Sequence, residues 1–102
     1  MYWKLDGHDV VPATFNEWIA MYKKPDARIV RQTRIEKVLI STVFLGTDHS
    51  FGMGTPLFFE TMIFDWHENE YQERYPTWDA AVEGHARALS MVLSEGWPEG
   101  SP

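Results

Sequence analysis

Two apolar segments near the middle of the chain, residues 37–45 and 57–66, constrain the fold most strongly. Side chains of a β-strand point alternately to its two faces, and in both segments each face is largely apolar. This pattern is typical of central strands that are covered on both sides. Three glycines and a proline interrupt the connection at 46–56, which is therefore predicted to be a loop.

The first third of the chain predicts a hairpin followed by a helix. Residues 2–5 and 8–11 flank an Asp-Gly dipeptide that favours a tight turn. Thr14 and Glu17 have the spacing of a capping box, and Pro25 ends the helix that they open. The apolar residues of this helix recur at the spacing of one buried face: Phe15, Trp18, Ile19 and Tyr22.

The remaining elements are a half-polar strand at 28–35, a short extra strand near 71–74 and a second helix. Thr77 is the predicted N-cap of that helix. Its predicted buried stripe consists of Trp78, Ala81, Val82, His85, Leu89, Val92 and Leu93.

The order β(β)-α-β-β-β-α predicts an α+β fold, an antiparallel sheet of three to five strands with two α-helices packed on one face. Residues 1–96 are predicted to form a single domain and 97–102 a loose tail. Whether 8–11 joins the main sheet is left open.

The apolar second face of the sheet needs to be covered, and a homodimer is the simplest way to cover it. Folding of the loop and first hairpin over that face is the alternative.

Composition excludes several classes of protein. The chain has no cysteine, so it has neither a disulfide framework nor thiolate metal sites. No apolar run approaches the roughly 20 residues that cross a bilayer, and the N-terminus has no apolar stretch typical of a signal peptide. No histidine pair has the helical spacing of a metal site, so neither a metal nor a cofactor is predicted. A cytoplasmic protein without a membrane partner is expected.

The charge of the chain is acidic and uneven. The net charge is −6, but residues 1–35 carry +2 and residues 36–102 carry −8. An acidic surface repels phosphate backbones, which disfavours generic nucleic-acid binding. The basic residues of 23–37 either protect an edge strand from pairing or form an anion site. Arg31 and Arg34 are the candidate anion contacts.

The loop at 46–56 is the best candidate for a functional site, because loops between rigid strands commonly carry function. Three interpretations remain open. Asp48 and Ser50 could hydrogen-bond the backbone while Phe51 packs into the core. The amides of Gly52 and Gly54 could face an anion, with Asp48, His49 and Ser50 as further contacts. His49 could act as a general acid or base together with Asp48 or Glu60.

Glu60 stands in the middle of an apolar strand and needs a partner if it is buried, because an unpaired buried carboxylate is costly. It is interpreted either as a hydrogen-bonded structural residue or as a contact to a ligand. His85, on the apolar stripe of the second helix, is interpreted as a hydrogen-bonded core residue.

Several stretches resemble a group of small uncharacterised proteins encoded by bacteriophages and prophages. These stretches are residues 2–7, 40–52, 56–64 and 73–85, with the motifs STVFLGTDHSFG, PLFFETMIF and ERYPTWDAAVEGH. The resemblance implies a phage origin and the cytoplasm of the host cell, but no established activity and no catalytic residue. Members of the group often have glycine at the position of Met53.

The resulting functional hypothesis is a phage accessory protein that binds without catalysis. Its partner would be a host protein or a small anionic ligand, in host takeover or counter-defence. The alternatives are a small enzyme that uses His49 with Asp48 or Glu60, and a structural or assembly component of a virion.

Overall fold

The computed structural model describes residues 1–66 and 71–95, and the elements follow one another in the predicted order. The strands form two antiparallel sheets, β1-β2 and β3-β4-β5-β6, and α2 packs on the larger sheet, which confirms the α+β class. The hairpin pairs only with itself and does not extend the larger sheet. The elements are β1 (Tyr2–Asp6), β2 (Asp9–Ala13), α1 (Phe15–Tyr22), a 3-10 turn (Pro25–Arg28), β3 (Ile29–Ile35), β4 (Val38–Phe44), β5 (Phe59–Phe64), β6 (Gln72–Tyr75) and α2 (Trp78–Glu95).

The two apolar segments form β4 and β5, the central strands of the larger sheet. Ile40 lies opposite Ile63 and Phe44 opposite Phe59, and α2 packs over this inner face. β5 is shorter than the predicted 57–66. Asp65 takes a left-handed conformation with φ 60°, which ends the strand after Phe64.

A polar band divides the core on the inner face into two apolar clusters. Thr42, Thr61 and His85 are fully or almost fully buried, and they stand on β4, β5 and α2 between the two clusters. One cluster contains Val38, Ile40, Ile63, Trp66, Ala88 and Val92. The other contains Phe44, Phe59, Tyr75 and Ala81.

Small residues bring α2 close to the sheet. A Cβ on Gly84 would lie 2.2 Å from the ring of Tyr75, so only glycine permits this approach. The buried residues of the helix are Ala81, Gly84, His85, Ala88 and Val92. The prediction that Leu93 is buried is wrong, because its side chain is 61% exposed.

The capping box of α1 is confirmed. Thr14 Oγ1 accepts from the amide of Glu17 at 3.1 Å, and Glu17 Oε1 accepts from the amide of Thr14 at 2.9 Å. The Lys4 ammonium also pairs with Glu17. However, the predicted stripe of α1 is not a buried face, because no residue of the helix is fully buried. The helix packs mainly against β1 and the 3-10 turn, and Met21 also packs against the cluster that contains Phe44 and Phe59.

The second, outer face of the larger sheet is covered less completely than the inner face. Leu39, Val43 and Met62 are half-buried there, and Phe64 is 38% exposed. The hairpin reaches the sheet at the end nearest the loop, where the rings of Trp3 and Phe58 lie 4.8 Å apart. The hairpin side chains Trp3, Leu5 and Val10 pack against the inner-face cluster that contains Phe44 and Phe59, so these contacts do not support the alternative in which the hairpin covers the outer face.

Candidate functional site

Residues 2–28, which contain β1, β2, α1 and the 3-10 turn, are called the N-terminal unit. This unit fixes the start of the loop between β4 and β5. It donates hydrogen bonds to three successive carbonyls at the end of β4. Arg28 donates to Phe44 O at 3.3 Å, the Tyr22 hydroxyl donates to Leu45 O at 2.7 Å, and the Trp3 amide donates to Gly46 O at 3.0 Å.

Gly46 is required where the loop leaves the sheet. Its φ of 76° lies in the left-handed region, and a Cβ there would lie 2.5 Å from the indole nitrogen of Trp18. The ring of Trp18, on α1, therefore packs against bare backbone. This contact adds to the three hydrogen bonds that fix the start of the loop.

Asp48 closes the loop from the inside. Its Oδ1 accepts from the amides of Ser50 at 2.8 Å and Leu57 at 2.9 Å, and its Oδ2 accepts from the Ser50 hydroxyl at 3.0 Å. The hydrogen bonds from these two amides hold the pKa of Asp48 below its ordinary value. The prediction that Asp48 hydrogen-bonds the backbone is therefore confirmed, whereas the Ser50 hydroxyl donates to the side chain of Asp48.

His49 is held beside the carboxylate. Its amide donates to Leu57 O at 2.9 Å, and its ring nitrogen Nε2 lies 3.0 Å from Thr47 Oγ1. The ring of Phe51 lies 5.9 Å from the imidazole. His49 is thus part of the loop framework, although its side chain remains partly accessible.

The tip of the loop exposes two large apolar side chains. Phe51 is 78% exposed and Met53 is 85% exposed, so the prediction that Phe51 packs into the core is wrong. Phe51 adopts a φ of 54°, followed by φ 79° at Gly52 and φ 91° at Gly54. These left-handed residues turn the chain tightly enough to direct the tip away from the sheet.

The other predicted site residues lie elsewhere. Glu60 is 9% exposed on the outer face, and its carboxylate accepts from Arg74 at 3.0 Å. Arg31 and Arg34 are exposed on β3, an edge strand. Arg34 lies opposite Leu39, and the next five residues of β4, 40–44, separate that position from the loop, which is about 17 Å of strand. The structure therefore does not bring Arg34 to the loop.

The sequence analysis missed a chain of hydrogen bonds in the polar band. His85 Nε2 lies 2.9 Å from Thr33 Oγ1 and His85 Nδ1 lies 2.7 Å from Thr42 Oγ1. The Thr42 hydroxyl also contacts the Thr61 hydroxyl, which extends the chain of hydrogen bonds to β5. One sequence feature could have indicated these hydrogen bonds. Each central strand has one threonine, Thr42 or Thr61, at an inward-facing position among otherwise apolar residues.

Within residues 1–66 and 71–95, no group of three or more acidic, histidine or cysteine residues is arranged to hold a metal ion. No helix in these same ranges is both long and apolar enough to cross a bilayer. Comparisons of the chain with protein-family models, with curated proteins and with solved structures found no match.

Proposed function

We propose that this chain is a non-enzymatic binding protein that docks on another protein through Phe51 and Met53. The observation that carries the proposal is their exposure, 78% and 85%, at the tip of a loop whose two ends are joined by the hydrogen bonds of Asp48 to Ser50 and Leu57. An aromatic ring and a thioether presented together fit a hydrophobic pocket, and buried aromatic anchors supply much of the energy of protein interfaces. Because the loop is already ordered, little entropy is lost on binding.

A protein partner is favoured over a small anion by the contacts of Asp48. An anion-binding loop needs free amides directed at the ligand. In this loop the carboxylate of Asp48 already accepts from the amides of Ser50 and Leu57. The carboxylate of Asp48 therefore occupies two of the loop amides, which are not free for an external anion.

Binding is also favoured over acid–base catalysis by the separate partners of the candidate residues. Asp48 bonds to Ser50 and Leu57, His49 contacts Thr47, and Glu60 is paired with Arg74. A general acid or base works on a substrate proton within hydrogen-bond reach, in concert with a second group that orients it. The observed contacts engage each of these residues in support of the fold.

The resemblance to phage and prophage proteins favours a host protein as the partner, in the cytoplasm of the host, in takeover or counter-defence. A virion component is the other outcome that the resemblance allows. Such a component is found in purified particles, whereas a docking protein of the proposed kind is found with its host partner.

A weak homodimer through the outer face is proposed as a separate property. The face carries Leu39, Val43, Met62 and Phe64. Four strands of about six residues cover about 400 Å2, below the roughly 800 Å2 per partner of a stable interface. We therefore expect a monomer–dimer equilibrium that shifts with concentration in light scattering. Phe64→Ser should abolish the shift, and a concentration-independent monomer mass contradicts the dimer.

The docking proposal is tested by the double variant Phe51→Ser, Met53→Ser in a quantitative pull-down from host lysate, followed by titration with the captured protein. We expect at least a tenfold weaker Kd, about 1.4 kcal/mol or more, because the partner pocket loses its apolar anchors. The unfolding midpoint should stay unchanged, because both side chains are exposed.

The control is Leu93→Ser, which removes an exposed apolar side chain from α2, away from the loop; this side chain is 61% exposed. It should retain the wild-type affinity for the same captured protein. Equal affinity of the wild type and the Phe51/Met53 double variant would refute docking through the loop tip.

A further inference from the structure

β3 forms one edge of the larger sheet. It pairs with β4 on one side, and no strand among residues 1–66 and 71–95 pairs with its other side. The pairing with β4 is regular over residues 31–35, which span about 17 Å of strand. Arg31, Gln32 and Arg34 are exposed along this stretch. The edge is therefore both open and long enough to accept a further strand.

The turn between β3 and β4 determines which backbone groups face the open edge. Residues 36–37 connect Ile35 to its partner Val38, and so short a loop closes on a pair that exchanges both backbone hydrogen bonds. Such pairs alternate along the ladder with pairs that exchange none, so only every second residue of β3 bonds to β4. The amides and carbonyls of the intervening residues, Gln32 and Arg34, therefore point toward the open edge.

Arg31 and Arg34 place two positive charges on this edge. Arg31 lies opposite the inward-facing Thr42, whereas Arg34 lies opposite Leu39 of the outer face. One guanidinium therefore stands on each face of the strand. Within the described part of the chain, neither guanidinium forms an ion pair or a hydrogen bond. The edge thus carries unpaired positive charge in a chain whose net charge is −6.

We propose that the open edge of β3 binds an extended, acidic segment of a partner protein, which pairs as an additional strand through the backbone of Gln32 and Arg34. Two carboxylates spaced three residues apart in that segment lie opposite Arg34 and Arg31, one on each face. Main-chain hydrogen bonds supply affinity in this mode of binding, and opposite charges at facing positions add to it and select the segment. The surface is separate from the loop tip and does not involve Phe51 or Met53.

The same charges disfavour other strands at this edge. A second copy of the chain, paired through its own β3, would bring the guanidinium groups of Arg31 and Arg34 from both copies onto one strand pair, where like charges repel. A neutral segment gains no ion pair, and a basic one is repelled. The arginines therefore protect the edge from pairing between copies and leave it available to an acidic segment.

The probe is a synthetic peptide with blocked ends, TVETVETV, titrated into the full chain and followed by 1H–15N correlation spectroscopy. Its two glutamates have the spacing that matches Arg34 and Arg31. We expect the amide signals of Gln32 and Arg34 to shift, and both amides to exchange more slowly at saturation, because they gain hydrogen bonds. Absence of these changes overturns the proposal. Protection of the same amides that rises with protein concentration, without peptide, assigns the edge to a second copy and also overturns it.

Two N-methylated forms of the peptide separate strand pairing from charge attraction. With the glutamates opposite the arginines, the amides of peptide positions 3 and 5 face β3 and those of positions 4 and 6 point away from it. N-methylation at 3 and 5 should abolish binding, whereas N-methylation at 4 and 6 should leave the affinity of the unmodified peptide. Equal affinity of the two forms would show that charge alone attracts the peptide, which contradicts the proposal.

The role of the arginines is tested by the double variant Arg31→Ser, Arg34→Ser. We expect a Kd for the unmodified peptide that is weaker by roughly fivefold, because two exposed ion pairs are lost and each contributes modestly. The matched control is Lys23→Ser, Lys24→Ser, which makes the same change of net charge at two exposed positions outside β3. It should keep the wild-type Kd. Equal weakening in both double variants would refute recognition of the acidic segment at the edge of β3.

Discussion

The N-terminal third and the remainder of the molecule differ in how their residues are buried. Within the described residues, none of 1–37 is fully buried, whereas every fully buried residue lies between 38 and 92. The N-terminal unit contributes aromatic contacts and the hydrogen bonds that anchor the loop. The larger sheet and α2 contribute the closed core. Trp3, Leu5, Val10 and Met21 of the N-terminal unit pack against this core while remaining partly accessible, so the two parts differ in their degree of burial.

Replacement of one phenylalanine by alanine in each part should show the difference in burial most clearly. Phe59→Ala removes a ring that is fully buried and should cost about 3–5 kcal/mol in the free energy of unfolding. Phe15→Ala removes a ring that is 53% exposed and should cost under about 1.5 kcal/mol, because less apolar area leaves contact. Chemical denaturation of both variants measures the difference.

A cost of Phe15→Ala as large as that of Phe59→Ala would contradict the comparison. It would mean that the N-terminal unit is an integral part of the core. Unchanged m-values are needed for the comparison, because they show that both variants unfold from the same state.

The sequence predicted the class and order of elements because those depend on local patterns. The alternation of 37–45, the capping box of Thr14 and Glu17 and the N-cap of Thr77 each involve neighbouring residues. The exposure of Phe51 could not be predicted in this way, because it depends on left-handed backbone at 51, 52 and 54. The loop was identified, but its contacts were not.

The polar band was equally hidden, because Thr42, Thr61 and His85 come from three different elements. His85 was predicted to be a hydrogen-bonded core residue, and its partners Thr33 and Thr42 confirm that interpretation. Their pairing depends on strand register, which places Thr42 opposite Thr61, and on the close approach of α2 at Gly84. Neither feature follows from residue type alone.

Acidification should destabilise the part of the molecule that contains His85. Burial and Arg31 lower the pKa of His85 in the folded state below the 6.5 of the unfolded chain. Between those two pKa values the unfolded chain binds more protons than the folded chain. The free energy of unfolding therefore falls as the pH falls below 6.5, whereas His85 does not change it above 6.5. The expected slope is at most about 1.4 kcal/mol per pH unit.

Urea unfolding between about pH 7.5 and 5 measures this slope, above the range in which the lowered pKa values of Asp48 and Glu73 contribute. His85→Gln lowers stability at every pH but should lose the component of the slope that His85 contributes. An unchanged slope in this variant would show that the buried imidazole is not responsible.

The smallest expected effect compares the caps of the two helices. The Thr77 hydroxyl accepts from the amide of Ala80 at 3.1 Å, and Thr14 makes the equivalent bond in α1. Each Thr→Ala variant loses about 1 kcal/mol of helix stability. Because α2 covers the core, Thr77→Ala should lower the free energy of global unfolding by that amount.

Thr14→Ala should act mainly through local opening of α1, because α1 has no fully buried residue. Amide exchange should then become faster within Phe15–Tyr22, while the amides of β4 and β5 keep their protection. Faster exchange throughout the larger sheet in Thr14→Ala would instead show that the two regions open as one cooperative unit, and that the core depends on the N-terminal unit as much as the loop does.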